Sequence, residues 1–519
     1  MVDSGQNEME QPVATGCDQV QRETRKVLIL QIARQIVAVG AAAALYRLLG
    51  PEPFGLYGMV IPLLMLPRMA ATLGLSTAAV QSENLSLSQR SGVFHMTLLL
   101  GVAATLLTGG LGHLFSRIFQ VPELIWISWT FAGTTLVDTL GLTHLAGLQR
   151  EMKLGRIAAI RLAGQIAAAV VSVAVAMQVK QEVLTAGILA LVAMEYAQIS
   201  LNTLGYWFFG RWRPGRFVKA DIKQLLAFSG NYSLSSLVFY AGQNLDKVLL
   251  AVIFGSTQTG QRLLGMYTAM YNLMMKPVYF VTDPVTSVML PSLSRTRKKA
   301  KDYYRIATDF YRFTAILLMP AGIGLTVVST DVAQLISGPN WDEAAVMLFA
   351  LAPAICVHGL INISGSLLAS AGQTGKLLAA AFILLGLQAQ GYGAAYWFAN
   401  YFEFGPDVSV ADAVSVAVAA SYSIVLIFIT IPYLIFCFSR VGLLAGPLLL
   451  DFVQILSRSL LMGVLVWFIQ DLMVKAEWSL YIRLPIAISI GVTAYAVLMW
   501  SRIQQSVMPF LKRGHEVTL

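Results

Sequence analysis

Seven charged residues sit inside long apolar runs of this chain: Arg34, Arg68, Asp246, Lys247, Lys276, Asp283 and Arg458. A Lys, Arg or Asp at the centre of a membrane span costs roughly 2.5–3.5 kcal/mol, so seven of them are expected to face a cavity or one another rather than lipid. At about 1.5 Å of rise per helical residue, Arg34 falls about 10 Å and Arg68 about 15 Å from the cytoplasmic ends of their spans. On the same scale Lys276 lies near a midplane and Lys247 about 10 Å below the opposite surface. Arginine binds phosphate oxygens through paired N–H bonds and lysine as a point charge, so cations at several depths suit a phosphate-bearing substrate that crosses the membrane. Arg34, Arg68, Lys247 and Lys276 are the candidate substrate-binding residues; Asp246 and Asp283 are the candidate counter-ions or coupling groups. A second account stays open, in which Arg34 and Arg68 snorkel to the headgroups and Asp246 neutralises Lys247 or Lys276 in a structural pair. Arg161 and Arg312, close to span ends, are expected to snorkel. Asp138, His144, Glu195 and His358 are weaker candidates, the two histidines being expected to pack with one satisfied nitrogen rather than to act as ligands.

The elements that must position these charges are membrane helices. Hydrophobic residues make up 57% of the 519 and charged residues 12%, with a mean hydropathy of +0.68, against roughly 25% charged in soluble domains. A span needs about 20 largely apolar residues. Fourteen segments qualify: 27–46, 54–78, 92–112, 124–147, 157–178, 184–209, 225–254, 264–290, 307–328, 344–370, 377–398, 413–438, 446–470 and 482–502. Long continuous runs indicate helices rather than the alternation of a barrel, so the chain is expected to be an all-α polytopic membrane protein.

The distribution of Lys and Arg sets an orientation. With the N-terminus inside, cytoplasmic stretches hold 23 and the opposite loops 6, which places both termini in the cytoplasm. The net charge of +9 is then a matter of topology, and no nucleic-acid partner is read into it, although Arg295 to Lys301 suit anionic lipid. The first 25 residues are polar and lack an apolar signal sequence, and are expected to form a disordered tail. Cys17, Cys356 and Cys437 are too few and scattered for a disulfide framework, metal site or redox role. No phosphate-binding glycine loop is present, no cofactor is implied, and the loops near 329–343 and 399–412 are too short for a catalytic domain, so no enzyme activity is expected.

The chain also repeats itself. Gly50-Pro51-Glu52-Pro53-Phe54-Gly55-Leu56-Tyr57 is echoed by the stretch from Gly255 to Gly265-Met266-Tyr267, 210 residues later, and the same offset carries Pro67 onto Pro277, with Arg68 and Lys276 beside the prolines. Repeats of this kind mark transporters, with the substrate path at their interface. The expected organisation is a tail over 1–25, a six-helix lobe over 26–209, a basic linker over 210–224, a second six-helix lobe over 225–438 related to the first by a pseudo-twofold, and two extra helices with a tail over 439–519. Pro62, Pro67, Pro277 and Pro284 interrupt their helices, as bends used in alternating access or as static kinks.

Residues Tyr46 to Tyr57 resemble the opening motif of the polysaccharide transporter family, the lipopolysaccharide and exopolysaccharide flippases of the multidrug/oligosaccharidyl-lipid/polysaccharide exporter superfamily. Gly74-Leu75 with Ala78 to Gln81, Gly147-Leu148-Gln149-Arg150, Asn244-Leu245-Asp246-Lys247 and Gly338-Pro339-Asn340-Trp341 are similar to that family in the same order, over roughly residues 26 to 440. The last two helices resemble the extra pair of the lipid II flippase branch. The resemblance implies a bacterial inner-membrane transporter that flips an undecaprenyl-diphosphate-linked oligosaccharide outward through a V-shaped cavity between two lobes, with membrane lipids, a polymerase and other polysaccharide-assembly proteins as partners. A drug antiporter of the same superfamily should carry a carboxylate-rich cavity instead. A membrane glycosyltransferase or ligase should carry a large outer loop.

Overall fold

In the computed structural model the described residues are 12–81, 87–151, 153–178, 184–216, 230–297, 299–338, 341–402, 409–502 and 504. Among them the chain is helical almost throughout, in the order α1 (Pro12–Leu49), α2 (Glu52–Gln81), α3 (Leu87–Phe119), α4 (Leu124–Arg150), α5 (Leu154–Gln178), α6 (Leu184–Gly210), α7 (Gly230–Phe254) and α8 (Gln258–Thr296). Then follow α9 (Ala300–Val327), α10 (Ser329–Ser337), α11 (Asp342–Leu351), α12 (Ile355–Ser370), α13 (Thr374–Tyr401), α14 (Val410–Arg440), α15 (Gly446–Lys475) and α16 (Leu480–Arg502). Lipid offers the backbone no hydrogen bonds, and long apolar sequence satisfies its own by coiling. Ends are marked where the sequence supplies caps: the Thr257 hydroxyl accepts from the Gly260 N–H at the start of α8, and Ser409 with Asp412 forms a capping box before α14.

Each of the fourteen expected segments falls on helix where it is described, and among the described residues twelve helical stretches are long and apolar enough to cross a membrane. The count differs from fourteen because α4 and α8 stand outside that set. Asp138 and a series of threonines lower the hydropathy of α4, and Arg262, Lys276 and Asp283 that of α8. At 39 residues, α8 extends about 58 Å, well beyond the roughly 30 Å hydrocarbon layer. The single segment expected over 344–370 is two helices joined by a 3₁₀ turn at Ala352–Ala354, where Pro353 removes a backbone donor. Helix α1 begins at Pro12, so of the expected disordered tail only residues 1–11 lie outside the described residues; the linker over 210–224 is described only to Arg216.

Helices α1–α6 pack mainly on one another, as do α7–α14, and the two groups meet where α2 crosses α7 and α8. The repeated motif supplies that crossing. A Cβ added to Gly55 would stand 2.0 Å from the Gln261 carbonyl oxygen, and one added to Gly265 would stand 1.8 Å from that of Pro51. Only glycine allows the two backbones to approach so closely. Around the crossing Tyr46, Phe54 and Trp341 form one aromatic cluster with centroids 4.7–6.2 Å apart, and the Arg47 guanidinium donates to the Leu335 carbonyl of α10. At this end the two groups of helices are sealed together.

Helices α15 and α16 attach to the second group through two buried acids. Asp331 of α10 accepts both arms of Arg483 (2.6 and 3.0 Å) and the Gln470 amide (3.1 Å). Asp451 accepts from Arg312 (2.7 Å) and Arg502 (3.0 Å). Arg312 is therefore half of an inter-helix pair rather than a snorkelling cation.

Candidate functional site

The two tyrosines of the repeat carry out parallel work. Tyr57 donates to Glu195 of α6 at 3.3 Å, and Tyr267 donates to Asp246 of α7 at 2.6 Å. Each motif thus couples a close helix crossing, made by its glycine, to a carboxylate one half-turn further on, reached by its tyrosine.

From α2, Arg68 extends to Asp138 of α4, both Nε (3.2 Å) and Nη2 (2.8 Å) donating to Oδ2. Glu195 interacts electrostatically with Arg68 and Asp138. Arg68 is therefore a matched cation, and Asp138 and Glu195, weak candidates from sequence, are the groups that match it.

A second cluster draws on both groups of helices. Arg34 of α1 interacts electrostatically with Arg161 of α5, with Asp283 of α8 and with Tyr206 of α6; Lys276 of α8 also feels Arg34. The Arg161 Nε donates to the Tyr206 hydroxyl at 3.3 Å, so Arg161 is turned inward rather than toward the headgroups. Arg34 and Lys276 are half-buried and Asp283 is exposed. Among the described residues neither Arg34 nor Lys276 makes a direct ion pair. Three cations share this space with one carboxylate. Tyr240 and Tyr279 connect the clusters, Tyr240 interacting with both Tyr279 and Arg68, and Tyr279 with Asp283.

Lys247 and Asp246 lie elsewhere. They are 3% and 0% exposed, with Lys247 Nζ 3.6 Å from Asp246 Oδ1, 3.2 Å from Asn244 Oδ1 and 3.4 Å from the centroid of the Tyr271 ring. Asp246 also accepts the Lys247 backbone N–H at 2.8 Å. Asp246 is thus paired with Lys247 and not with Lys276, and the pair is closed off inside the second group of helices. Beside it, His358 bonds Tyr422 (2.8 Å) and Gln243 (3.1 Å), and Tyr422 contacts Tyr271 (3.3 Å). His144 has one nitrogen bonded, to the Trp212 carbonyl at 3.1 Å, and stacks on Trp207. Arg458 faces the Met499 sulfur at 3.2 Å, between α15 and α16.

The arrangement brings together Arg34, Lys276 and Asp283, adds Arg161 and Tyr206, and sets Arg68 close by with its own counter-ion. Sequence reasoning missed Arg161 because its depth, near a span end, outweighed its helical face. It missed Tyr57 and Tyr267 as donors, although the repeat had singled both out.

A protein-family model described as "Polysaccharide biosynthesis protein" matches residues 44–346, more than half of the chain. An uncharacterized membrane protein in the cps region of Klebsiella pneumoniae is 23% identical over 333 residues, covering 62% of this chain and 65% of the relative. The lipopolysaccharide biosynthesis protein WzxC of Escherichia coli K12 is 24% identical over 328 residues, covering 62% and 63%. The chain thus spans less than two thirds of the length of these relatives. Among solved structures, the lipid II flippase MurJ in an inward closed conformation superposes with a TM-score of 0.67 at 15% identity, covering 92% of this chain and 99% of that one. That likeness establishes the fold.

Proposed function

Because the chain belongs to the polysaccharide biosynthesis protein family, we propose that it is a transporter that flips a polyprenyl-diphosphate-linked oligosaccharide from the cytoplasmic to the outer leaflet. The observation that carries this reading is the cluster of Arg34, Arg161 and Lys276, contributed by both groups of helices, in which, among the described residues, Asp283 is the carboxylate that interacts with Arg34 and Arg161. A diphosphate is a compact anion, and a half-desolvated space with excess guanidinium and ammonium charge is complementary to it. Arg68, held by Asp138, presents its remaining N–H groups beside the same path. Lys247, sealed against Asp246, supports the second lobe instead of touching cargo. The close crossing at Gly55 and Gly265 and the exposure of Asp283 support a path closed at the crossing and open beyond Asp283, as alternating access requires.

The 23-to-6 distribution of cations supports a cytoplasmic-membrane location with both termini inside, so that the accessible end faces the cytoplasm, where such glycans are assembled. An exporter of cationic drugs would need unmatched carboxylates, whereas here Asp138 is bonded to Arg68 and Glu195 to Tyr57. Binding of a short-chain polyprenyl diphosphate to the purified protein tests the reading. The wild type should bind it and Lys276→Ala should weaken binding by about tenfold or more, a single lost charge-assisted contact being worth roughly 1.5–3 kcal/mol; unchanged binding by Lys276→Ala and Arg34→Ala alike would remove the cluster from the mechanism.

A further inference from the structure

A large cavity lies away from that cluster. A groove of about 1010 Å³ runs between α5 and α6; Leu204 and Phe208 on its apolar floor are 66% and 76% exposed. Arg156, Arg211 and Arg213 surround one end, and all three are exposed. This groove and the inter-lobe cluster use opposite faces of the same helices, since Tyr206, which faces Arg161, is buried between Leu204 and Phe208 in sequence. Successive turns of a helix bring i and i+4 onto one face and leave i+2 on the other.

The arginine end is fixed in place. Trp207 donates to the Leu140 carbonyl at 2.9 Å, the Trp212 carbonyl is bonded by His144, and Arg90 lies 4.5 Å from the Trp212 ring. Among the described residues none of the three rim arginines has a carboxylate partner, Arg156 lying 5.9 Å from the Phe209 ring; the neighbouring Glu151 is held by Lys153. Tryptophans beside cations at a helix end mark the membrane–water boundary. The chain that continues past Arg216 carries Lys219 and Lys223 against Asp221 through residue 229, so its net positive charge disfavours it as the occupant.

We propose that this groove binds an anionic glycerophospholipid of the adjoining leaflet, its phosphate on Arg156, Arg211 and Arg213 and an acyl chain along Leu204 and Phe208. The site is separate from the cargo path and would make transport sensitive to the lipid composition of that leaflet. Native mass spectrometry of the full-length protein in detergent, with phosphatidylglycerol as probe, tests it. Phosphatidylglycerol should be retained and phosphatidylcholine not. The triple variant R156Q/R211Q/R213Q should bind about a hundredfold more weakly, from three surface cations near 1 kcal/mol each. Leu204→Trp, which fills the groove and leaves the arginines, should also lose the lipid, and thermal melting reports whether each variant is folded. Equal retention by the wild type and either folded variant would overturn the proposal, as would equal retention of phosphatidylcholine. Displacement by glycerol phosphate at matching concentration would assign the site to free phosphates instead. A disulfide between Leu204→Cys and Phe217→Cys that forms regardless of lipid would give the groove to the chain's own segment.

Discussion

Asp246→Asn offers a quantitative test of how the intramembrane charges are matched. The substitution keeps an oxygen for the Tyr267 hydroxyl, now 2.6 Å from Asp246, but leaves Lys247, 3% exposed, without its counter-charge. Breaking a buried pair by removing one partner costs about 3–5 kcal/mol. The Tyr271 face, 3.4 Å from Lys247 Nζ, and the Asn244 oxygen at 3.2 Å retain part of the compensation, and a desolvated cation–π contact is worth about 2 kcal/mol. The expected loss is therefore at the low end, about 3 kcal/mol, visible as a lower melting temperature in detergent and reduced abundance in cells. Adding Lys247→Met should recover most of it, because the cost comes from the buried cation left without its counter-charge, and the amide oxygen of Asp246→Asn can still accept from Tyr267. Adding Lys276→Met should recover nothing. An Asn variant with wild-type melting and abundance, or rescue by Lys276→Met, would refute the pairing.

Three further outcomes follow from the same geometry. Gly265→Ala should destabilise the sealed end by about 1–3 kcal/mol or more, because the new methyl meets the Pro51 carbonyl at 1.8 Å and backbone cannot yield as a side chain can; cysteines replacing Arg47 and Leu335 should then cross-link less readily than in the wild type. Arg483→Gln should lower the melting temperature by loosening α16 from Asp331, with a cost of roughly 3 kcal/mol for an acid 2% exposed left without its counter-charge, while a wild-type melt would show that the Asp331–Arg483 pair does not hold α16. Reporters fused after residues 219 and 300 should be cytoplasmic and one after residue 340 exported, as the charge distribution requires; export at 219 would reverse the topology.

Much of the fold was legible because apolar runs and helix breaks are local properties. The echo of Gly55 and Tyr57 in Gly265 and Tyr267 pointed to the place where two groups of helices cross. The azimuth of a charge around its helix was not legible, since it depends on packing. From sequence, Lys247 and Lys276 are both open as partners of Asp246, and sequence neighbours on a helix normally diverge, so only the packing that places Lys247 Nζ 3.6 Å from Asp246 Oδ1 decides between them. The same limit concealed Arg161, whose depth suggested the headgroups while its face looks to Tyr206. It also left Arg458 among the cavity candidates, although it sits by Met499. The polar character of α8 was visible in Lys276 and Asp283, and it is what sets that helix apart from the ordinary spans.

The central claim is that Arg34 and Lys276 hold the diphosphate of a lipid-linked glycan on its way across the membrane. Its most direct measurement is the rate of outward flipping of a polyprenyl-diphosphate oligosaccharide in reconstituted vesicles, comparing the wild type with Arg34→Gln/Lys276→Gln at matched protein content and melting temperature. The account predicts that the double variant loses flipping, with Arg34→Lys alone retaining part of it because the planar fork is lost and the charge kept. Wild-type flipping by the folded double variant would contradict it.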